Sequence, residues 1–221
     1  AVGNHDISGN IYQRNFGDTY FYFVLGGDIH VVMDSEINDG SIKDDQMSML
    51  KQIEEMVSTT GKINNVFFYS HRTLWSNSFG ELEGLFTDNT QSVFGNNFKT
   101  EVLPIVDRIQ LNASVYWFSG SLGSAPASFF QFKSINGVHY IATAIRGLKR
   151  DAVLKVTVAG DEVRFETESL TGEALLNFEA YNIEFWKSTV GKDPFNYKLL
   201  PLYFKNMIFH RYFWYGFVIM L

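Results

Sequence analysis

The sequence contains no cysteine among its 221 residues. This absence excludes disulfide bonds, zinc–thiolate sites and thiol catalysis, because each of them needs a cysteine sulfur. Basic residues are also outnumbered: 18 Lys and Arg stand against 24 Asp and Glu, which gives a net charge of −6. Nucleic-acid-binding proteins usually carry a basic face, so the chain has no nucleic-acid footprint. A phosphorylated ligand would need a local cation, such as a metal ion, to offset the negative field.

Apolar and aromatic residues are abundant instead. Hydrophobic residues make up 46% of the chain, and there are 21 Phe, 11 Tyr and 4 Trp. This content is typical of a folded globular domain with a sizeable core. Residues 1–190 are therefore assigned to one domain, and the more apolar residues 199–221 are treated as a separate tail.

Hydrophobic periodicity predicts strands, hairpins and helices in a mixed order. Apolar runs joined by Gly- or Asn-containing turns predict three β-hairpins, at 20–33, 129–144 and 154–167. Single strands are predicted at 66–69 and 115–118, and helices at 44–57 and 98–110, although Pro104 interrupts the second helical pattern. The two helices are predicted from their apolar stripes, which are Met47, Leu50, Ile53 and Val57 in the first and Val102, Ile105, Val106 and Ile109 in the second. Residues 173–188 are expected to be helical in part, and 76–97 to form a long surface loop. This order predicts an α/β (α+β layered) domain with two sheets.

Ala1 and Val2, which stop at Gly3, also predict the end of a buried strand, so three predicted strands end in polar residues. These endings are Asn4-His5-Asp6, Ser70-His71-Arg72 and the run from Ser119 to Ser124. Ligands gather at the carboxyl ends of strands in sheet folds of this type, so the three strand ends are expected to converge on one cleft. The Asn oxygen and the His nitrogen suit a divalent metal ion.

Five segments in this order carry a family resemblance. They are G-N-H-D at 3–6, an acidic strand end at 34–36 followed by Gln46 and Leu50 in a helix, S-H-R-T-L-W at 70–75, W-F-S-G at 117–120, and I-A-T-A-I-R-G at 141–147. Together they resemble the calcineurin-like metallophosphoesterase family over residues 1–147. The resemblance implies part of a metallophosphoesterase-like β-sandwich flanked by helices.

The resemblance also implies a chemistry, which is hydrolysis of a phosphomonoester or phosphodiester by two adjacent divalent ions, Mn, Fe or Zn. Asn4 and His71 would be metal ligands. His5 would be the catalytic proton donor or would stabilise the transition state, and Asp6 would orient His5. Arg72 stands where many relatives have a second His, and it is expected either to contact phosphate or to lie at the surface. The partner would be a phosphorylated small molecule or a phosphorylated surface.

The sequence also departs from the family pattern. The first two metal motifs, D-x-H and G-D-x-x, do not precede G-N-H-D, so we expect the chain to be a fragment. The G-H-x-H motif is replaced by the segment 120–123, in which Ser121 and Gly123 stand where the family has two metal-binding histidines. A non-catalytic binding domain therefore remains an alternative. His30 and His139 are expected to be packed strand residues, and Asp34 and Glu36 structural acids.

The tail, 199–221, is strongly aromatic and apolar. Lys205, His210 and Arg211 precede its final apolar run, an order that resembles an interfacial belt leading into a membrane span. We favour a truncated membrane anchor over an aromatic helix that docks on the domain. The domain would then be tethered to a membrane on its extracytoplasmic side.

Overall fold

The computed structural model describes residues 1–6, 11–86, 95–122, 125–145, 147–189, 197, 200–209 and 214–215. A six-stranded sheet, a two-stranded sheet and flanking helices form a layered α/β fold, which confirms the predicted class. The strands are β1 (Phe21–Leu25), β2 (Asp28–Val32), β3 (Asn65–Arg72), β4 (Ser114–Ser121), β5 (Phe129–Lys133), β6 (His139–Thr143), β7 (Ala152–Ala159) and β8 (Glu162–Ser169). The helices are α1 (Ile11–Phe16), α2 (Asp44–Thr60), α3 (Leu103–Gln110), α4 (Ile183–Thr189) and α5 (Leu200–Phe209).

The large sheet has the strand order β1-β2-β3-β4-β6-β5. Its four inner strands are parallel, and the two edge strands are antiparallel to their neighbours. All three predicted hairpins form, as β1–β2, β5–β6 and the separate pair β7–β8. Gly26 and Gly27 make the first turn with φ values of 62° and 94°, which a residue with a side chain adopts at a cost. The parallel inner strands bring the carboxyl ends of β3 and β4 to one edge.

Helix α2 covers one face of the sheet. Its first turn is acidic, and it ends at Gly61 in the left-handed conformation, as expected for a helix with a glycine C-cap. The buried stripe was predicted to include Met47, but Gln46 occupies the buried position and Met47 is only partly covered. The apolar members of the stripe recur every three or four residues and are Leu50, Ile53 and Val57.

Helix α3 lies on the same face of the sheet. A π-helical segment, Phe98–Val102, leads into it, and Pro104 lies in its first turn. A proline there costs little because the first-turn N–H has no intrahelical partner. Pro104 therefore begins the helix rather than breaking it. The predicted apolar face is buried and comprises Val102, Ile105, Val106 and Ile109.

The β7–β8 hairpin covers the opposite face. Side chains alternate along β3, so that Val66 and Phe68 belong to the core under the helices while Phe67 packs toward the hairpin. The hairpin contributes Leu154, Val163 and Phe165 to that second cluster. The two sheets thus form a partial sandwich in which two strands face six.

The described part of the segment predicted as a long surface loop is anchored to the core. Residues 76–86 form two short 3-10 turns, with Leu82 buried. The Phe79 and Tyr140 rings pack at a tilt, and Phe86 packs edge-on against Trp75. Asn77, Glu81 and Glu83 are exposed, so this part is a surface loop as predicted, and its apolar residues anchor it to the core. Residues 87–94 lie outside the described residues.

The tail is described in part, as helix α5 and residues 214–215, while 199, 210–213 and 216–221 lie outside the described residues. No helix in the described ranges combines the length and apolarity needed to cross a membrane. Exposed apolar residues recur on α5 at a helical spacing, as Leu200, Phe204, Met207 and Ile208. The membrane anchor remains a prediction.

Candidate metal centre

The site lies where the N-terminal turn meets the end of β3. Gly3 is buried against the imidazole of His71, since a Cβ added to Gly3 would lie 3.1 Å from ring atoms Nδ1 and Cε1. Gly120 of β4 borders the same ring, at 3.7 Å from Nδ1 by the same construction. Two glycines therefore leave the space that the His71 ring occupies, one in the N-terminal turn and one on β4. Residues 1–3 form no strand, so the strand predicted before Asn4 is wrong.

The two predicted metal ligands meet in this space. His71 Nε2 lies 3.1 Å from Asn4 Oδ1, across 67 residues of sequence. Adjacent ligands of one ion, each bonded at about 2.1 Å, lie roughly 3.0 to 3.4 Å apart. The separation of these two atoms fits a shared ion, and an amide oxygen with an imidazole nitrogen suits Mn, Fe or Zn.

The G-N-H-D segment forms a closed turn. The Asp6 amide donates to the Gly3 carbonyl at 2.9 Å, and Asp6 Oδ2 accepts from the Gly3 amide at 2.9 Å. Asn4 and His5 therefore project from the tip of the turn, and both are exposed. Asp6 Oδ2 fixes the turn that presents Asn4, and the orientation of His5 by Asp6 stays a prediction.

The environment of His71 keeps the imidazole neutral. Burial lowers the pKa of His71 because the charged ring is poorly solvated there. Glu36 and Asp6 oppose this shift, whereas Arg72 and His5 add to it as neighbouring positive charges. A neutral imidazole is the form that binds a metal ion. The contribution of His5 also places it within electrostatic reach of His71.

Arg72 has a different role from the two that were predicted. Its Nε and Nη2 donate to both carboxylate oxygens of Glu36, at 2.8 and 2.6 Å. The side chains are only 14% and 2% exposed, so the pair is neither a surface charge nor a free phosphate ligand. The hydrogen bonds with Glu36 raise the pKa of Arg72. Glu36 is structural, as expected, because it neutralises the guanidinium beside His71.

A buried glutamine fixes the acidic strand end. Gln46 of helix α2 accepts a hydrogen bond from the Asp34 amide at 2.9 Å and donates one to the Asp34 carbonyl at 3.1 Å. Asp34 Oδ1 in turn accepts from the Glu36 amide at 2.9 Å. Gln46 of the helix motif therefore holds the backbone at Asp34 in place, and this backbone leads to Glu36.

A hydrogen-bond network that sequence reasoning did not predict lies beneath the site. Ser70 Oγ donates to the Arg72 carbonyl at 2.9 Å and lies 3.1 Å from Ser119 Oγ. The indoles of Trp117 and Trp75 donate to these two hydroxyls, at 2.9 and 3.0 Å respectively. The signal was the recurrence of Ser and Trp in both strand-end motifs, 70–75 and 117–120.

Four other positions were considered from the sequence, namely Ser121, Gly123, His30 and His139. Ser121 pairs with Arg72 in the β3–β4 register, and Gly123 lies outside the described residues. His30 stacks between Phe23 and Phe67, and His139 stacks on Tyr116. Both are packed strand residues, as expected.

Asn4 and His71 are the two predicted ligands that the fold brings together. Within the described ranges, no cluster of three or more His, Cys, Asp or Glu side chains is placed to hold a metal ion. The arrangement is therefore half of a possible coordination sphere. Comparison with protein-family models and with curated protein sequences finds no match for this chain.

Proposed function

We propose that the chain carries part of the active site of a calcineurin-like metallophosphoesterase, which hydrolyses a phosphate ester with divalent metal ions. The observation that carries the proposal is the 3.1 Å contact between Asn4 Oδ1 and His71 Nε2. Asn4 and His71 each carry an atom that can bind a metal ion, and these atoms lie close together although the residues are far apart in sequence. A packed core gives no reason for this pairing, since Asn4 is exposed.

Asn4 and His71 would hold one ion of the pair of Mn, Fe or Zn ions. A bound ion of this kind polarises the phosphoryl group and supplies a hydroxide at neutral pH. At least two further ligands are needed for a four-coordinate ion. The proposal requires water, substrate or side chains beyond the described residues to provide them.

Other residues of the chain would support this half-site. The closed turn holds Asn4 toward His71, and burial keeps His71 neutral. His5, exposed beside this pair, can give a proton to the departing alkoxide, a role that usually contributes about 10²- to 10⁴-fold to the rate. Glu36 neutralises Arg72, so the guanidinium beside His71 does not repel the metal ion.

A non-catalytic binding domain is the second candidate. The observation that favours it is Ser121, which stands where the family has a metal-binding His and which bonds in the sheet as an ordinary strand residue. In this case the protein would hold no stoichiometric metal and would hydrolyse neither ester class.

Metal content and hydrolysis of p-nitrophenyl phosphate and bis(p-nitrophenyl) phosphate separate the two candidates. We expect the purified protein to retain metal, and Asn4→Ala and His71→Ala to lose both metal and activity. His5→Ala should keep the metal and lose at least about 100-fold in kcat. His139→Ala is the matched control, because it removes an imidazole that packs on Tyr116. Full metal content in His71→Ala would refute the proposed centre.

We also propose that the tail binds a membrane surface. The support is the exposed apolar face of α5, formed by Leu200, Phe204, Met207 and Ile208. Flotation with vesicles of phosphatidylglycerol and phosphatidylcholine should recover the protein at the top of the gradient. Phe204→Glu should abolish this flotation without changing metal content. Equal flotation of the variant would refute this role for α5.

A further inference from the structure

A half-open cleft runs between the large sheet and strand β7. Its volume is about 440 Å³, within the roughly 300 to 1,000 Å³ of small-molecule sites. The sheet side is formed by aromatic residues of β3 and β4, and the opposite wall by apolar residues of β7. Lining residues include Phe67, Tyr69, Phe118, Leu154 and Val156.

The cleft and the candidate metal centre lie on the same face of the sheet. Phe67, Tyr69 and His71 are alternate residues of β3, so their side chains point to the same face. Residues two apart on a strand are separated by roughly 6.6 Å, so the His71 ring follows the ring of the lining residue Tyr69 at the next position. One strand position therefore separates the cleft lining from the imidazole that contacts Asn4.

A second strand gives the same result. Ser119 of β4 pairs with Ala142 of β6, which places the lining residue Thr143 level with Gly120. Gly120 borders the His71 ring. The cleft wall and the metal centre are thus continuous on two neighbouring strands.

The cleft lining is aromatic and aliphatic, and it is uncharged. His30 and Phe67 of the lining belong to a row of rings that stack on one another across five strands with centroid separations of 4.8 to 5.3 Å, in the order Phe23, His30, Phe67, Tyr116 and His139. The lining residues that the structure describes include no Asp, Glu, Lys or Arg. His30 Nδ1 lies 3.0 Å from Tyr69 Oη, so these two polar groups satisfy each other. Burial lowers the pKa of His30, which leaves this wall neutral at physiological pH.

We propose that this cleft binds the aromatic leaving group of the phosphate ester whose phosphate lies at Asn4 and His71. The inference rests on the proposed function, and it names the substrate class as aryl phosphate esters. Stacked rings and aliphatic walls favour a planar apolar group, because aromatic contacts add to the burial of its area. A charged leaving group would lose solvation there without gaining a partner.

Two substitutions on β7 provide a matched test. Val156 lines the cleft, whereas Thr157 is exposed and, as the next residue of the strand, points away from it. Val156→Trp should fill the cleft, and Thr157→Trp should leave it open. Circular dichroism and thermal unfolding of both variants confirm that each remains folded.

Binding of 1-naphthol, measured by calorimetry, tests the cleft without any chemical step. We expect one site per protein, a loss of affinity of at least about tenfold in Val156→Trp, and a change within about twofold in Thr157→Trp. For hydrolysis, Val156→Trp should raise KM for 1-naphthyl phosphate by at least about tenfold and leave kcat/KM for methyl phosphate within about twofold.

The outcomes separate the two proposals. If both esters are hydrolysed but Val156→Trp alters neither naphthol binding nor KM for the naphthyl ester, the cleft inference is overturned and the proposed function stands. If naphthol binds in the cleft but neither ester is hydrolysed, the proposed function fails and the cleft remains an aromatic-binding site. If naphthol does not bind and a polypeptide segment fills the cleft in an experimental structure, the cleft is part of the core.

Discussion

The two faces of the large sheet are built from the same strands and differ in almost every other respect. On the helix face, Val66 and Phe68 lie under α2 and α3 and are fully buried. On the hairpin face, Phe67 is also buried, but Tyr69 is only partly buried and the exposed fraction of Phe23 reaches 45%. The difference arises because two helices cover one face, whereas a two-stranded hairpin cannot cover six strands.

The faces also differ in what they place at the edge of the sheet. Ser70 points to the helix face, where it joins the buried network with Trp117. His71, the next residue, points to the hairpin face and contacts Asn4. One face therefore stabilises the strand ends, and the other presents ligands. The experiments below test this division, beginning with the largest expected effect.

Truncation of a helix-face core residue should cost the most stability. Leu50→Ala removes a fully buried side chain and should lower the free energy of unfolding by about 2 to 5 kcal/mol. Leu154→Ala, on the hairpin side of the cleft, should cost about 1 kcal/mol or less because Leu154 is only partly buried. Urea denaturation measures both, and equal losses would contradict the division between the faces.

Breaking the buried network should have an intermediate effect. Trp117→Phe removes the indole donor to Ser70 Oγ and should cost about 1 to 3 kcal/mol. Phe118→Leu, the adjacent residue on the other face, is the control and should cost less. Guanidinium denaturation measures the free energy of unfolding of both variants. A larger loss in Phe118→Leu than in Trp117→Phe would contradict the assignment of the stabilising network to the helix face.

The close approach at Gly3 can be tested with one methyl group. Gly3→Ala would place a Cβ 3.1 Å from the His71 ring, which must then shift by a few tenths of an ångström from its position beside Asn4. We expect about tenfold weaker metal binding with little loss of fold stability, since metal sites depend on ligand placement. Gly120→Ala is the control, because its Cβ would make an ordinary 3.7 Å contact. Calorimetric titration with Mn²⁺ measures both, and equal affinities would contradict the proposed ligand position.

Neutral imidazoles on the hairpin face should give stability a pH dependence. Burial lowers the pKa of His139 to about 4, with Lys133 contributing. Since the unfolded state binds the proton more readily, the contribution is complete above about pH 6.5 and is lost as the pH falls toward 4. After allowance for partial exposure, we expect about 1 kcal/mol.

The variant His139→Phe should keep the stack on Tyr116 and remove this dependence. Thermal unfolding of the two proteins between pH 4 and 7 provides the comparison. A decline of the same size in both proteins would show that His139 is not its source.

Local patterns predicted the elements well and the tertiary contacts poorly. The Gly26-Gly27 and Asn136-Gly137 turns correctly predict their hairpins, and the apolar stripe correctly predicts α2. The Glu36–Arg72 pair and the buried Gln46 could not be predicted this way, because each depends on a partner in another element. The anchoring of residues 76–86 to the core was not predicted, because their mostly polar composition shows no periodic apolar pattern.

The site was predicted only in outline. Strand-end polarity and a family resemblance pointed to Asn4 and His71, and the structure places them in contact. The Ser70–Ser119 network and the stacked rings that extend from His30 to His139 were not predicted. Both depend on strand register, which sets the face of every side chain and is not visible in any one segment.

The central claim is that Asn4 and His71 form half of a metal centre. Long-range ¹H–¹⁵N NMR of the histidine rings during a Zn²⁺ titration tests it most directly, since each imidazole reports its own nitrogen. We predict that the Nε2 resonance of His71 shifts on metal binding, that His30 and His139 remain unchanged, and that Asn4→Ala weakens the response. A folded protein in which Zn²⁺ leaves the His71 ring unaltered would contradict the account.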